Sequence, residues 1–332
     1  MAHTDQLLVL SATDVEACLP MAECIDAMGD AFRMISSGEV HNPLRNAIVP
    51  PLDGAPGILG LMPAVRGGDG FSYGLKEVCV FPGNHALGID SHQGSVLVHE
   101  GETGRLVAIL NGSAVTAIRT AAATAVASRV LARPQSNVLA LVGAGFQARW
   151  HLEALAQVHQ LDEVRVCSRN PASSQAFAER WSSTYAVRAV GTVEEAMRGA
   201  DIVTTVTNSP EPVVDRRWVE TGMHLNAVGS SVASKREMDS ATVAASRLFV
   251  DSRVSAVNEA GDLLLASADG VVADEHIIAE VGEVLNGSNA GRRDDDEITL
   301  FKSLGLAIED LLAAEVAIGN AQELGRGTVV DF

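Results

Sequence analysis

A glycine-rich segment follows one of the most regular apolar runs of the chain. Residues 138–142 are Val-Leu-Ala-Leu-Val, and residues 143–148 continue as Gly-Ala-Gly-Phe-Gln-Ala into an amphipathic stretch. In a G-x-G-x-x-A segment the first glycine permits a tight turn, the second admits a pyrophosphate, and the alanine lets the helix pack on the strand. Unsatisfied amides at the helix N-terminus attract the phosphate charge. A purely structural turn is the alternative, but the strand-to-helix position favours a dinucleotide site. The predicted contacts are Gly143, Gly145 and Ala148.

The residues after the next predicted strand bear on the choice of dinucleotide. An NAD site usually has a carboxylate there, which accepts a hydrogen bond from the ribose 2′-hydroxyl. This chain has Ser168, Arg169 and Asn170 instead, and a guanidinium beside a hydroxyl suits a 2′-phosphate. A solvated arginine in a loop is the alternative. We expect NADP(H) to be preferred, with NAD(H) as the second choice.

Short apolar runs alternate with helical segments in this part of the chain. Strands are predicted at residues 138–142, 164–167, 202–206, 224–228 and 248–250. Helices are predicted between them at residues 149–158, 173–181 and 192–198. Strands that alternate with helices form a parallel sheet. The fold class expected here is therefore α/β, with a doubly wound parallel sheet of the Rossmann type.

The N-terminal third of the chain has a different pattern. A helix is predicted near residues 21–36, and valine-rich runs at residues 78–81 and 95–98 lie between Gly- and Pro-rich joints. These features predict a mainly antiparallel sheet with a helix. An alanine-rich helix over residues 114–131 ends before Pro134 and leads into the parallel sheet.

Composition narrows the class of protein. The 332 residues are 47% hydrophobic, and 42 acidic against 24 basic side chains give a formal net charge of −18. A chain this long can bury a large core, and its acidity disfavours nucleic acid and anionic lipid as partners. The four cysteines lack paired zinc spacing, and no apolar run matches a signal peptide or a membrane span. We expect a soluble, cytoplasmic protein with reduced cysteines.

Seven segments together resemble the ornithine cyclodeaminase/μ-crystallin family. In chain order they are GLK at residues 74–76, FPGN at 81–84, SHQG at 91–94, TAIRTAA at 116–122, the loop at 143–148, NAVG at 226–229 and FKSLG at 301–305. The resemblance implies a homodimer. It also implies a discontinuous α+β substrate-binding and dimerisation domain, residues 1–117 and 311–332, around a Rossmann domain, residues 118–310.

The resemblance further implies that Arg45, Lys76 and Arg119 surround a small anionic carboxylate substrate, with Lys76 and Arg119 catalytic. Three neighbouring cations in an acidic protein are costly unless an anion lies between them. Ordinary surface or strand positions are the alternative for each. Ser231 and Leu304 complete the implied substrate site. The cofactor contacts that the resemblance implies are Ser91, Thr120, Phe146, Gln147, Thr207, Val228, Gly229, Lys235 and Ser303.

One departure from the family pattern separates its branches. Cyclodeaminases carry an aspartate two positions after the glycine that matches Gly229, and this chain has Ser231 there. A hydroxyl does not replace a carboxylate base, whose contribution is typically about 10²–10⁴-fold. The ketimine reductase branch resembles this chain better, with a serine and an Arg-Glu-Leu-like segment where residues 236–238 read Arg-Glu-Met.

We therefore expect an NADP(H)-dependent reductase of cyclic ketimine carboxylates, of the pyrroline-2-carboxylate or piperideine-2-carboxylate type. Hydride transfer to the C=N bond would give a cyclic amino acid, and Lys76 would donate the proton. Three alternatives stay open: an amino-acid dehydrogenase, an ornithine cyclodeaminase, and a non-catalytic NADPH-dependent binding protein. No metal is expected, because His85, His92 and His99 recur at sevens rather than at the short local spacing of zinc ligands.

Overall fold

The computed structural model describes residues 6–51, 56–68, 70–89 and 91–332. It divides the chain into two compact units, which we call the terminal unit (Met1–Arg119 and Leu306–Phe332) and the central unit (Thr120–Gly305). The predicted boundaries lie two residues earlier at the first junction and five residues later at the second. The second offset has a physical reason, since Glu309 and Asp310 contact side chains of the terminal unit.

Strands and helices account for most of the described chain. The strands are β1 (Gln6–Leu10), β2 (Val40–His41), β3 (Asn46–Ile48), β4 (Ile58–Arg66), β5 (Ser72–Val80), β6 (His92–Glu100), β7 (Leu106–Asn111), β8 (Val138–Val142), β9 (Glu163–Cys167), β10 (Val187–Ala189), β11 (Ile202–Thr205), β12 (His224–Ala227), β13 (Arg247–Val250), β14 (Ile277–Glu280), β15 (Thr299–Lys302) and β16 (Thr328–Asp331). The α-helices are α1 (Ala12–Cys18), α2 (Met21–Ser37), α3 (Gly112–Leu131), α4 (Phe146–Val158), α5 (Pro171–Trp181), α6 (Val193–Met197), α7 (Ser240–Ala245), α8 (Arg253–Glu259), α9 (Gly261–Ala268), α10 (Val281–Leu285) and α11 (Ala307–Leu324).

The terminal unit is built on an eight-stranded, mainly antiparallel sheet. Its strand order is β16-β1-β7-β6-β5-β4-β2, with β3 paired to β4, and β1 runs parallel to β7. Helix α11 packs on β4, β5 and β6, and α1 and α2 pack against α11. Gly74 allows this close packing, because a Cβ atom there would lie 3.0 Å from the Leu311 side chain. The predicted antiparallel sheet with a helix is confirmed.

The central unit is a doubly wound parallel sheet. Its strand order is β10-β9-β8-β11-β12-β15-β13-β14, and all seven pairings between neighbours are parallel. The winding reverses between β8 and β11, and ligands of such sheets bind at the carboxyl ends of the strands at that point. The predicted α/β Rossmann class is confirmed. The sequence did not predict β10, β14 and β15.

Strand β8 shows why its sequence is apolar throughout. Leu139 and Leu141 belong to one buried cluster of the central unit, and Ala140 and Val142 belong to another. Alternate residues of a strand point to opposite faces, so both faces of this strand are covered. Parallel strands buried in this way are continuous hydrophobic runs rather than alternating ones.

Helix α3 departs from one expectation. Its 20 residues are long and apolar enough, by length and composition alone, to cross a membrane, although no such segment was expected. Of its most apolar 18-residue window, 78% is buried inside the protein. That burial is characteristic of a core helix, and the chain passes from the terminal to the central unit within it, between Arg119 and Thr120.

Candidate active site

Two cations and two carboxylates meet in the terminal unit and form what we call the charge cluster: Lys76, Arg119, Glu309 and Asp310. The Lys76 Nζ atom lies 2.7 Å from Asp310 Oδ2. The Arg119 Nε atom donates to Asp310 Oδ1 at 2.8 Å, and its Nη1 atom donates to Glu309 Oε2 at 3.0 Å. All four residues are at most 5% exposed. Two positive and two negative charges offset one another, which makes their burial tolerable.

Three elements position the charge cluster. Lys76 lies on β5, on the same inward face as Gly74 and against α11. Arg119 lies on α3, and the two acids occupy the first turn of α11, where the helix dipole favours negative charge. Asn42 anchors that turn, since its Oδ1 atom accepts from the Ile308 amide at 2.9 Å. The acids therefore project from a fixed helix start.

The charge cluster corrects one step of the sequence argument. We expected the neighbouring cations to need an anion from the substrate between them, but Asp310 and Glu309 already supply two. Arg45 lies half-buried directly before β3, near enough for its charge to act on Lys76. The structure thus brings the three predicted cations into one neighbourhood of the terminal unit.

Burial and charge together set the protonation of Lys76. Burial lowers the pKa of Lys76, the Asp310 carboxylate opposes this shift, and the charges of Arg119 and Arg45 add to it, so that the resulting pKa is about 8. Burial raises the pKa of Asp310, but Arg119 and Lys76 outweigh burial and leave it below its usual value. A lysine poised near neutral pH is suited to donate a proton.

Ser91 is the other predicted site residue in the terminal unit. It is buried, and its Oγ atom lies 3.0 Å from His92 Nδ1. Ser113 Oγ donates to the carbonyl of His92. Ser91 and His92 thus stand in a local hydrogen-bonded group at the start of β6.

The glycine loop of the central unit has the geometry that dinucleotide binding requires. Gly143 has a φ of +113°, and a Cβ atom there would lie 2.8 Å from the Val206 carbonyl oxygen. Gly145 is exposed, and an added Cβ would meet no described atom within 4 Å. Ala148 is fully buried, as a helix packed on β8 demands. The first glycine serves the turn and the second leaves the approach open, so the residues fit a bound pyrophosphate.

The start of α4 adds amide donors to this loop. Gly145 is the N-cap, and no side chain among the described residues caps the helix there, so its first amides remain available to a ligand. Phe146 is 54% exposed, and Gln147 is half-buried.

The three residues after β9 that were predicted to contact the cofactor have different surroundings. Ser168 Oγ donates to the carbonyl of Asn170 at 2.8 Å and also contacts Ser174 Oγ. Asn170 is the N-cap of α5, where its side chain accepts from the Ala172 amide. Arg169 is exposed. The hydroxyl and the amide have structural tasks, which leaves the guanidinium as the main predicted contact for a 2′-phosphate.

A buried carboxylate joins the loops after β11 and β12. Glu237 Oε1 accepts from the Thr207 amide at 2.8 Å and its hydroxyl at 2.7 Å, and Oε2 accepts from the Gly229 amide and from Thr205 Oγ1, both at 2.7 Å. An added Cβ at Gly229 would lie 2.0 Å from the Thr207 carbonyl oxygen. Glu237 therefore fixes two loops that carry predicted cofactor contacts, a role that the sequence analysis did not assign to it.

A second buried pair supports the same edge of the sheet. Lys302 Nζ lies 3.0 Å from Asp262 Oδ2 and donates to the carbonyls of Ala227 and Ser230. Asp262 Oδ1 accepts from the amides of Glu237 and Met238, both at 2.8 Å. The ends of β12 and β15 are thereby tied to the segment that holds Glu237.

The remaining predicted residues of the central unit lie on its helices and loops. Thr120 is half-buried on α3, Val228 and Ser231 are half-buried after β12, and Lys235 Nζ donates to Asn208 Oδ1 at 3.2 Å. Ser303 and Leu304 are buried, and the Leu304 amide donates to Asp251 Oδ2 at 2.6 Å.

Cysteines and histidines provide little for a metal. All four cysteines are free thiols. Within the described part of the chain, no group of three or more His, Cys, Asp or Glu side chains is arranged to hold a metal ion. The His85 side chain of the predicted histidine series lies outside the described residues.

The sequence analysis missed the two acids of the charge cluster. Their signal was the adjacent pair Glu309-Asp310 inside an otherwise apolar stretch that begins α11. Two carboxylates at buried helix positions need partners, because buried charges are paired. A search for complementary buried cations would have pointed to Lys76 and Arg119.

Known proteins are similar to this chain in sequence and in fold. Residues 5–324 match the model of the ornithine cyclodeaminase/mu-crystallin family. The chain is 38% identical to ketimine reductase mu-crystallin of Mus musculus over 279 residues, which covers 84% of this chain and 85% of that protein. The structure of Thermococcus litoralis Delta(1)-pyrroline-2-carboxylate reductase, in complex with NADH and L-proline, matches with a TM-score of 0.92 and 37% identity over 97% of this chain and 99% of that one. An archaeal alanine dehydrogenase dimer with bound NAD matches with a TM-score of 0.92 and 33% identity over 98% and 99% of the two chains. The chain belongs to the ornithine cyclodeaminase/mu-crystallin family.

Proposed function

We propose that this protein is an NADP(H)-dependent reductase of cyclic ketimine 2-carboxylates, of the pyrroline-2-carboxylate or piperideine-2-carboxylate type. The relatives confirm the coarser class, a nicotinamide-dependent oxidoreductase of C=N bonds. The observation that carries the finer proposal is the buried Lys76, held beside Arg119 and Asp310 with a pKa of about 8. Such a lysine can donate a proton beside guanidinium groups that recognise a carboxylate.

In the proposed reaction the two arginines bind the substrate carboxylate, and Lys76 of the charge cluster transfers the proton. Arg45 and Arg119 hold the substrate carboxylate, and this orients the ring. A bound NADPH would supply the hydride for the imine carbon. As that C–H bond forms, the C=N π electrons move to nitrogen, which takes a proton from Lys76 Nζ. The products are the cyclic amino acid, NADP⁺ and a neutral lysine, which regains a proton from solvent.

An absorbance assay of the reduced nicotinamide tests the proposal directly. NADPH and NADH are each combined with pyrroline-2-carboxylate, with piperideine-2-carboxylate, and with 2-oxo acids plus ammonia or methylamine. Fast NADPH oxidation with a cyclic ketimine is the expected result. Ammonia release from ornithine with NAD, without net NADH formation, would replace the proposal by the cyclodeaminase and show that Ser231 is no barrier.

A second candidate function has a specific observation in its favour. The archaeal alanine dehydrogenase matches this chain as well as the pyrroline-2-carboxylate reductase does by TM-score. An open-chain 2-oxo acid carries the same carboxylate, so Arg45 and Arg119 would serve it equally. Turnover of pyruvate with ammonia at a higher kcat/KM than any cyclic ketimine would favour this amino-acid dehydrogenase.

The pKa of Lys76 predicts the pH dependence of the reaction. The lysine must be protonated to donate, so activity is retained below its pKa and lost as the pH rises through it. With a pKa of about 8, kcat/KM is expected to fall tenfold per pH unit well above pH 8, because kcat/KM reports ionisations of the free enzyme. A profile from pH 6 to pH 10 measures this limb, and a flat profile through pH 10 would contradict the assignment.

Arg169 is predicted to determine the preference for NADP(H). A hydrogen bond to a charged group contributes about 1.5–3 kcal/mol, so Arg169→Ala is expected to weaken NADPH binding by about ten- to hundredfold. NADH, which lacks the 2′-phosphate, is expected to bind unchanged. Quenching or enhancement of nicotinamide fluorescence measures both constants. Arg180→Ala, an exposed arginine in the last turn of α5, is the matched control, and equal losses for both dinucleotides would overturn the assignment.

The homodimer and the cytoplasmic location remain predictions. Light scattering coupled to gel filtration is expected to give twice the 34.7 kDa chain mass, and a mass of one chain would contradict the dimer.

A further inference from the structure

Asp310 bridges the two cations of the charge cluster through its two carboxylate oxygens, at 2.7 Å from Lys76 Nζ and 2.8 Å from Arg119 Nε. We propose that Asp310 is a positioning residue for the reaction, which keeps Lys76 protonated between turnovers and fixes the direction of its ammonium group. This inference rests on the proposed function, in which Lys76 donates the proton.

The geometry restricts the lysine strongly. The Lys76 ammonium group pairs with Asp310 Oδ2 at 2.7 Å and donates a longer hydrogen bond, at 3.4 Å, to Thr116 Oγ1. These two partners restrict the positions from which a substrate atom can approach the ammonium group. Asp310 is itself fixed, because Arg119 holds its second oxygen and Glu309 holds Arg119. The end of a long, flexible side chain is thus held in one place, as a near-attack geometry requires.

The charges around Lys76 come from three elements. Asp310 lies on α11, Arg119 on α3 and Arg45 directly before β3, while Glu309 on α11 pairs with Arg119. Burial and the two guanidinium groups all disfavour the ammonium form, and Asp310 is the main group that favours it. Without the Asp310 charge, burial and the two guanidinium groups would lower the pKa of Lys76 further.

The same bridge serves each catalytic cycle. When Lys76 has given its proton to the imine nitrogen, a neutral amine faces the Asp310 carboxylate at ion-pair distance. The anion favours return of a proton to Lys76 from solvent, so the lysine is charged again before the next imine arrives. Asp310 itself keeps no proton and touches no reacting atom in this scheme.

Asp310→Asn tests the proposal, because it removes the charge and retains the shape. The basic limb of kcat/KM, expected near pH 8 in the wild type, should move down by at least about one pH unit. Below the shifted limb, activity should partly recover, which a merely structural loss would not produce. Glu315→Gln is the matched control, since Glu315 also lies on α11 and pairs with Arg66, and its limb should stay in place. An unmoved limb in Asp310→Asn would overturn the proposal.

Asp310→Glu separates charge from position. It keeps the carboxylate but lengthens the side chain, so the limb should stay near pH 8 while kcat falls by about tenfold or more through misdirection of the ammonium group. An unchanged kcat would refute the positioning role. This variant also keeps the proposal testable if Asp310→Asn does not fold, and NADPH binding to the central unit verifies the folding of each protein.

A measurement without turnover distinguishes this inference from the proposed function. The chain has three lysines, Lys76, Lys235 and Lys302, so NMR of protein labelled with ¹³Cε-lysine shows three signals, and Lys76→Met assigns one of them. The Lys76 signal should titrate at lower pH in Asp310→Asn than in the wild type. If no ketimine is reduced but this shift occurs, the proposed function fails and the Asp310–Lys76 coupling stands. Equal titration midpoints of the Lys76 signal in the wild type and in Asp310→Asn would overturn the proposal, whichever substrate the enzyme reduces.

Discussion

Lys76→Met is expected to lower kcat for the best substrate by about 10²–10⁴-fold, the range typical of a lost general acid. Methionine keeps the length and the apolar body of the side chain but removes the donor 2.7 Å from Asp310. The variant leaves buried carboxylates with one cation fewer, which costs stability. Rates are therefore divided by the concentration of NADPH-binding protein, measured by fluorescence titration.

Lys76→Arg is the matched control for charge. It keeps a cation on β5, but an arginine is not deprotonated at accessible pH and so cannot donate a proton. We expect it to be nearly as inactive as Lys76→Met, although its substrate affinity should be better. Turnover of Lys76→Met within about tenfold of the wild type would show that Lys76 is no proton donor. Recovery by Lys76→Arg alone would make its role purely electrostatic.

The central unit could be predicted from the sequence because its signals are local. The sequence of β8 is continuously apolar, and the glycine motif that follows it predicts both the turn and the start of the next helix. The predicted strands at β8, β9, β11, β12 and β13 agree with the structure to within one residue at each end. Where the pattern of a few neighbouring residues decides the structure, one sequence suffices.

Strand β15 was not predicted because its sequence does not resemble that of a buried strand. It reads Thr-Leu-Phe-Lys, and a lysine at the end of so short a run suggests a surface position. Lys302 is nevertheless 1% exposed, and Asp262, 40 residues earlier in the chain, balances its charge. No local pattern predicts that partner. The central position of β15 between β12 and β13 likewise depends on pairing between distant segments.

The acids of the charge cluster were not predicted for the same reason, since they lie even further along the chain from the cations that they pair with. The resemblance pointed to Arg45, Lys76 and Arg119, but Asp310 lies 191 residues after Arg119. Charge alone left the counter-anion open, and the sequence argument assigned it to the substrate. The fold settles it otherwise, since α11 returns to pack on β5 and carries its acids there. Long-range return of a chain terminus is the kind of information that residue spacing does not contain.

Gly145→Ala is expected to weaken NADPH binding by about 100-fold, or ~2.7 kcal/mol, while the protein stays as stable as the wild type. The added Cβ would meet no described atom within 4 Å, but it would occupy the approach of the pyrophosphate to the loop. With φ −88° and ψ −161°, the position accepts alanine. Alanine lowers the entropy of the unfolded chain, which stabilises the fold, but it is a poorer N-cap than glycine, which destabilises it. The net change in the free energy of unfolding is therefore below about 1 kcal/mol.

Gly143→Ala is the contrasting variant, because it should destabilise the fold, whereas Gly145→Ala should weaken only NADPH binding. Its φ of +113° disfavours any side chain, and its Cβ would lie 2.8 Å from the Val206 carbonyl oxygen. The free energy of unfolding should therefore fall by more than about 1 kcal/mol. Denaturant melts and NADPH titrations of both variants separate the two roles. If Gly145→Ala bound NADPH normally, the pyrophosphate would not approach this loop, and the dinucleotide site would have to lie elsewhere in the protein.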